Sequence, residues 1–242
     1  MSQKNYPHSV KSALRMASRQ RGFTLVELAV VMVAIGLLLG AIAIGKDLQR
    51  SASYQRLSST FVQGWIDSYN VFVAGTGIVP GDTPASPTGR VNASTNELCG
   101  NNLVNVFLAA GIRLPEGRAE GLQSRYAYLD SNGNPQEVEI CLQNVSWAEP
   151  GASVGVYVTR PKNVIVLKNV TSALATMLDN QIDGHPDARF GQLREASQAN
   201  ALAVTTGQPW SIDERMAFGS NVATGLDESQ VAVTTAWILM AR

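Results

Sequence analysis

Histidine and cysteine each occur only twice in 242 residues, and charged side chains make up 16%. One of the histidines, His8, precedes residue 22. The cysteines Cys99 and Cys141 and the remaining histidine, His185, are far apart, and they do not form a zinc set, which needs four nitrogen or sulfur ligands at close spacing. The chain has no GxSxG, HExxH, P-loop or dinucleotide fingerprint, so no motif supports catalysis and the chain is read as a non-enzyme. Charge of one sign is missing as well: 19 basic residues balance 19 acidic ones, which argues against a chain built to coat nucleic acid. A 45% hydrophobic content excludes whole-chain disorder.

The zero net charge hides an uneven distribution. Residues 1–22 carry Lys4, Lys11, Arg15, Arg19 and Arg21 and no acid. Next comes a run without proline, Phe23 to Ile44, whose one charge is Glu27. At about 1.5 Å per residue a helix of that length covers the roughly 30 Å hydrocarbon core of a bilayer. The run exceeds the about 7 to 15 apolar residues of a cleaved signal peptide. The basic flank predicts an N-in, C-out orientation. On hydropathy alone, an uncleaved signal anchor of a periplasmic protein fits, but it leaves Glu27 unexplained. A carboxylate inside a membrane helix costs about 2.5 to 3.5 kcal/mol near the centre and less near an end.

Around that carboxylate, Arg21-Gly22-Phe23-Thr24-Leu25-Val26-Glu27-Leu28 resembles the type IV pilin and pseudopilin family, in which a basic leader ends in glycine and glutamate stands fifth in the mature chain. The resemblance implies cleavage between Gly22 and Phe23 by a membrane-embedded prepilin peptidase, N-methylation of Phe23, and retention of the apolar segment. It also implies that Glu27 sets assembly register by neutralising the N-terminus of a neighbouring copy. The implied partners are copies of the chain and other pilins in a helical filament, the peptidase, and an inner-membrane assembly platform. The implied location is the inner membrane for the precursor, then an extracellular pilus or periplasmic filament. A pilus subunit is the first reading and a type II secretion pseudopilin the second. Starting at Met16 would give a seven-residue leader, MASRQRG.

Gly36 and Gly40 form a GxxxG pair in the apolar run, either a close helix-packing face or ordinary membrane-helix glycines. Family members often carry proline where this chain has Ile44, so any loosening of the helix here relies on glycine. Beyond the run, Tyr54, Leu57, Phe61, Trp65, Tyr69 and Phe72 recur at spacings of 3, 4, 4, 4 and 3. That stripe predicts one helix from Phe23 to about Ala74 with its aromatic face turned to a core.

Residues 75–96, with four glycines and three prolines, end the helix. Short helices are expected over Glu97–Ile112 and Thr171–Ile182. Strands are expected over Ser124–Leu129, Gln136–Val145, Val154–Val158, Asn163–Lys168 and Val231–Met240. The fold class is α+β: a long N-terminal helix packed on a mainly antiparallel sheet. The segments are a leader over 1–22 (or 16–22), a membrane or filament-core half-helix over 23–44, an amphipathic half over 45–74, an αβ-loop over 75–96 and a head over 97–242.

Cys99 and Cys141 fall on the exported side and are expected to bridge, away from the C-terminal position of many pilin disulfides. The turn Asp130 to Pro135 fails the EF-hand pattern, because proline stands at the glycine position. No cofactor is expected. Calcium on Asp179, Asp183 and Asp187 is the one metal reading, by resemblance to some secretion pseudopilins, set against a polar helix end. Nucleic acid is not an expected partner, because the basic residues after Gly22 are scattered and outnumbered.

Overall fold

A computed structural model describes residues 23–119, 121–202, 206–210 and 231–241. The chain divides into two units, residues 1–45 and 46–242. In the first unit, helix α1 (Leu25–Arg56) begins, and every residue from Phe23 to Ile42 is exposed within the chain. Its leucines, valines and isoleucines surround the axis, so no polar face turns outward.

In the second unit the helix continues from α1 through a π-helical segment, Leu57–Val62, into α2 (Gln63–Thr76). The predicted helix was uniform, and the π turns are a departure with a packing cause. Leu57, Ser58, Phe61 and Val62 are all buried, and two adjacent pairs facing one way require a wider turn than the α-helix provides. The whole predicted stripe is covered, from Tyr54 at 5% exposure to Trp65 at 0%. Gly77, at φ +77°, ends α2 and returns its N–H to the Val73 carbonyl.

The head is a mainly antiparallel sheet. Its strands are β1 (Leu98–Cys99), β2 (Arg125–Leu129), β3 (Pro135–Pro150), β4 (Tyr157–Thr171), β5 (Leu193–Glu195) and β6 (Val233–Leu239). The order is β1-β3-β4-β6-β5, with β2 also paired to β3. Helix α3 (Gly100–Ala109) follows β1, and α4 (Ser172–Ile182) follows β4, capped by the Thr171 hydroxyl. The two strands expected over 154–168 are one strand, β4, and the residues before it form the hairpin turn. Pro161 suggested a break, but β6 joins β4 only from Val164, so at Pro161 that side of the strand has no partner that needs an N–H. The helix expected from Glu97 starts at Gly100, because Leu98 and Cys99 pair with β3.

Alternate residues of β3, β4 and β6 serve two cores. Ile140, Leu142, Ile165, Leu167 and Ile238 pack with the helical stripe and Phe107. Cys141, Val145, Trp147, Val164 and Val166 form a second cluster on the opposite face, closed by Ala199. The sheet is therefore covered on both faces. Turn Asp130–Pro135 is organised by the buried Asp130 carboxylate, which accepts from the N–H groups of Asn132 (2.9 Å) and Asn134 (2.8 Å).

Candidate functional site

Helix α1 opens on reciprocal hydrogen bonds. The Thr24 N–H donates to Glu27 Oε2 (2.9 Å), the Thr24 hydroxyl donates to the same oxygen (3.0 Å), and the Glu27 N–H donates to Thr24 Oγ1 (3.2 Å). This is a capping box, and it satisfies N–H groups left without helical partners in the first turn. The carboxylate inside the apolar run thus has a local role in the isolated chain. The signal was legible as Thr24-x-x-Glu27, but sequence reasoning assigned the glutamate to a neighbour and overlooked the threonine.

Phe23 is 87% exposed. Gly22 and the rest of the leader lie outside the described residues. At Gly36 and Gly40 an added Cβ would meet nothing within 4 Å in the single chain, so neither packs against its own fold. The span Leu25–Ile42 is long and apolar enough to cross a membrane, and none of it is buried.

Cys99 and Cys141 are joined in a disulfide that links opposed residues of β1 and β3. Glu97 sits beside the sulfurs and is paired with Lys168. Among the described residues this is the one cluster of three metal-ligand types, and its sulfurs are already bonded to each other. With 42 residues between the cysteines, replacing both by serine is expected to cost about 2 to 4 kcal/mol, read as a lower melting temperature that reductant no longer affects.

The three aspartates of the metal reading occupy one corner but face different groups. Asp179, fully buried at the end of α4, accepts from the Asp187 N–H (2.6 Å) and the Trp210 indole N–H (2.7 Å) through Oδ2. Asp183 accepts from the Gln192 N–H (2.7 Å), and Asp187 from the N–H groups of Arg189 (2.8 Å) and Phe190 (3.2 Å). Their oxygens thus serve backbone amides, and the three do not converge as one ligand set among the described residues. Trp210 is a partner that no spacing in the sequence announces.

Burial, together with repulsion from Asp183, pushes the Asp179 carboxyl up to about 7, against the hydrogen bonds from Trp210 and Asp187. The folded chain therefore holds a proton that the unfolded chain has released between about pH 4 and pH 7. Stability contributed by this group is present below that window and lost as pH rises through it. Melting temperature is expected to fall across the window in the native chain, and more shallowly in Asp179→Asn.

Trp147, on the second face, carries the Arg194 guanidinium 4.2 Å from its ring centroid. Arg194 is 8% exposed and donates to the carbonyls of Ala148 (2.8 Å) and Gly191 (3.0 Å). Its cation is held by a π face and carbonyl oxygens, with no carboxylate contact among the described residues.

A family model described as the prokaryotic N-terminal methylation motif matches residues 17–43, the prepilin-type cleavage and methylation segment. No curated protein and no solved structure matches the chain. The N-terminus is thus of the pilin-like or pseudopilin kind, and the rest of the chain is α+β.

Proposed function

We propose that this chain is a structural subunit of a type IV pilus or related filament, held in the inner membrane as a precursor and assembled through its N-terminal helix. The observation that carries this reading is the methylation motif over residues 17–43, running into an apolar helix that nothing in the chain covers. Gly22 is the last leader residue and Phe23 the methylated mature N-terminus. The apolar helix crosses the bilayer first and lies in the filament core afterwards, while the head contributes shape and surface and no catalysis.

Mass spectrometry of the protein from its native cell tests this. The expected mature form begins at N-methylated Phe23 and has lost the five unbalanced positive charges of residues 1–22, so it runs at a more acidic isoelectric point. A peptidase-deficient strain should retain the basic precursor. An intact leader in the wild type would sink the proposal. Loss of surface filaments on deletion assigns the chain to a pilus, whereas loss of protein secretion with pili intact assigns it to a secretion pseudopilus.

A further inference from the structure

A groove of about 620 Å³ runs along the head beside the π-helical segment and α2. One wall is the helix face from Ser58 to Asn70, and the other is the end of α4 and the end of β6 at Ile238 to Ala241. A second hollow of about 450 Å³, sharing Asn70 and Ala241, continues it to Gly77. From Ser58 to Gly77 the helix rises about 28 Å at 1.5 Å per residue.

The lining has a definite chemistry. No charged side chain faces either hollow. Ile66, Val73 and Ile182 pack against the main core on one side and remain half-exposed on the other, while Gln63 and Asn70 supply a neutral rim. Half-covered aliphatic side chains along an uncharged trough suit an aliphatic occupant, since a charged one would lose its hydration without gaining a partner.

The same sequence supplies a matching surface. Leu25–Ile42 is wholly uncovered, bears one charge at its start and is about 27 Å long as a helix. Gly36 and Gly40 leave its surface low enough for another backbone to approach closely. We infer that the groove between α2 and the end of β6 receives the apolar N-terminal helix of a second copy of this chain. The inference rests on the filament reading, in which each neighbour presents that helix, and adds to it a specific docking face on the head.

Cross-linking in assembled material tests the contact. Among the described residues there is no free cysteine, so introduced thiols report alone. The full chain carrying Ile66→Cys and Val33→Cys is expressed in the native cell, and sheared filaments are treated with a short bis-maleimide. A ladder of covalent multimers is expected, and none from Leu108→Cys with Val33→Cys, since Leu108 is exposed on α3 outside the groove. If Ile66→Cys fails to fold, the exposed Asn70→Cys takes its place. Asn70→Lys is also expected to cut filament yield tenfold or more, with Asn101→Lys on α3 as the control. Assembled filaments without groove-specific ladders, or normal yield from Asn70→Lys, overturn the docking face and leave the filament reading standing. An unprocessed N-terminus overturns both.

Discussion

Glu27→Ala is expected to leave cleavage after Gly22 intact and to remove the chain from filaments, while Glu27→Gln separates the two roles this side chain can play. In the isolated chain Glu27 closes a capping box with Thr24. Glutamine at the same position also completes such a box, so Glu27→Gln keeps the helix start. What glutamine cannot do is neutralise a neighbouring N-terminal ammonium in a dry core. Leaving a buried charge without its partner costs about 3 to 5 kcal/mol, at least a hundredfold per contact. If pairing dominates, both variants are processed normally and neither enters filaments, which immunoblots of sheared filaments against whole membranes will read. If Glu27→Gln assembles at the native level, capping is the dominant role and the ammonium pairing is refuted.

The second large effect belongs to Trp65→Ala. Trp65 is fully buried, meets Phe107 edge-on at 5.5 Å, and donates its indole N–H to the Gln123 carbonyl at 3.1 Å. Phe107 also touches Phe72 at 5.1 Å, so the indole joins α2 to α3 and to the loop before β2. Truncation to alanine opens a cavity and strands a carbonyl, for about 3 to 5 kcal/mol. In a domain of this size that amounts to a fall in melting temperature of roughly 10 °C or more. Trp65→Phe keeps most of the ring and loses the donor, and its expected cost is about 1 to 2 kcal/mol. A melt unchanged in Trp65→Ala would mean that the helix does not anchor this core.

These two residues show what could and could not be read in advance. Trp65 belongs to a stripe of period 3.6, and every member of that stripe is buried, because a helix against a sheet has one way to hide six large side chains. The π turns were invisible, since their cause is a local pairing of buried positions that leaves the overall period nearly intact. Strand β5 is three residues long, too short for alternation to register. The double-faced sheet was hard to see because its strands read as continuous apolar runs such as Val164–Leu167, which point to strands without saying what covers each side. In the candidate site, the motif around Gly22 and Glu27 was plain because its parts are adjacent in sequence. The Asp179–Trp210 bond joins residues 31 apart across a turn-rich stretch and had no local signal.

Strand β6 lies between β4 and β5, although it comes last of the three in the chain. Strand β5 has no place in the sheet until β6 arrives, and one side of β4 waits for the same event. A chain delivered from its N-terminus onward can zip the β3–β4 hairpin early, because that pairing is local, but it seals the sheet only after some sixty further residues have emerged. Delivery and closure are thereby coupled. A product interrupted before Val233 exposes the open side of β4, a template for pairing with other chains, and would be recognisable to quality-control proteases as unfinished.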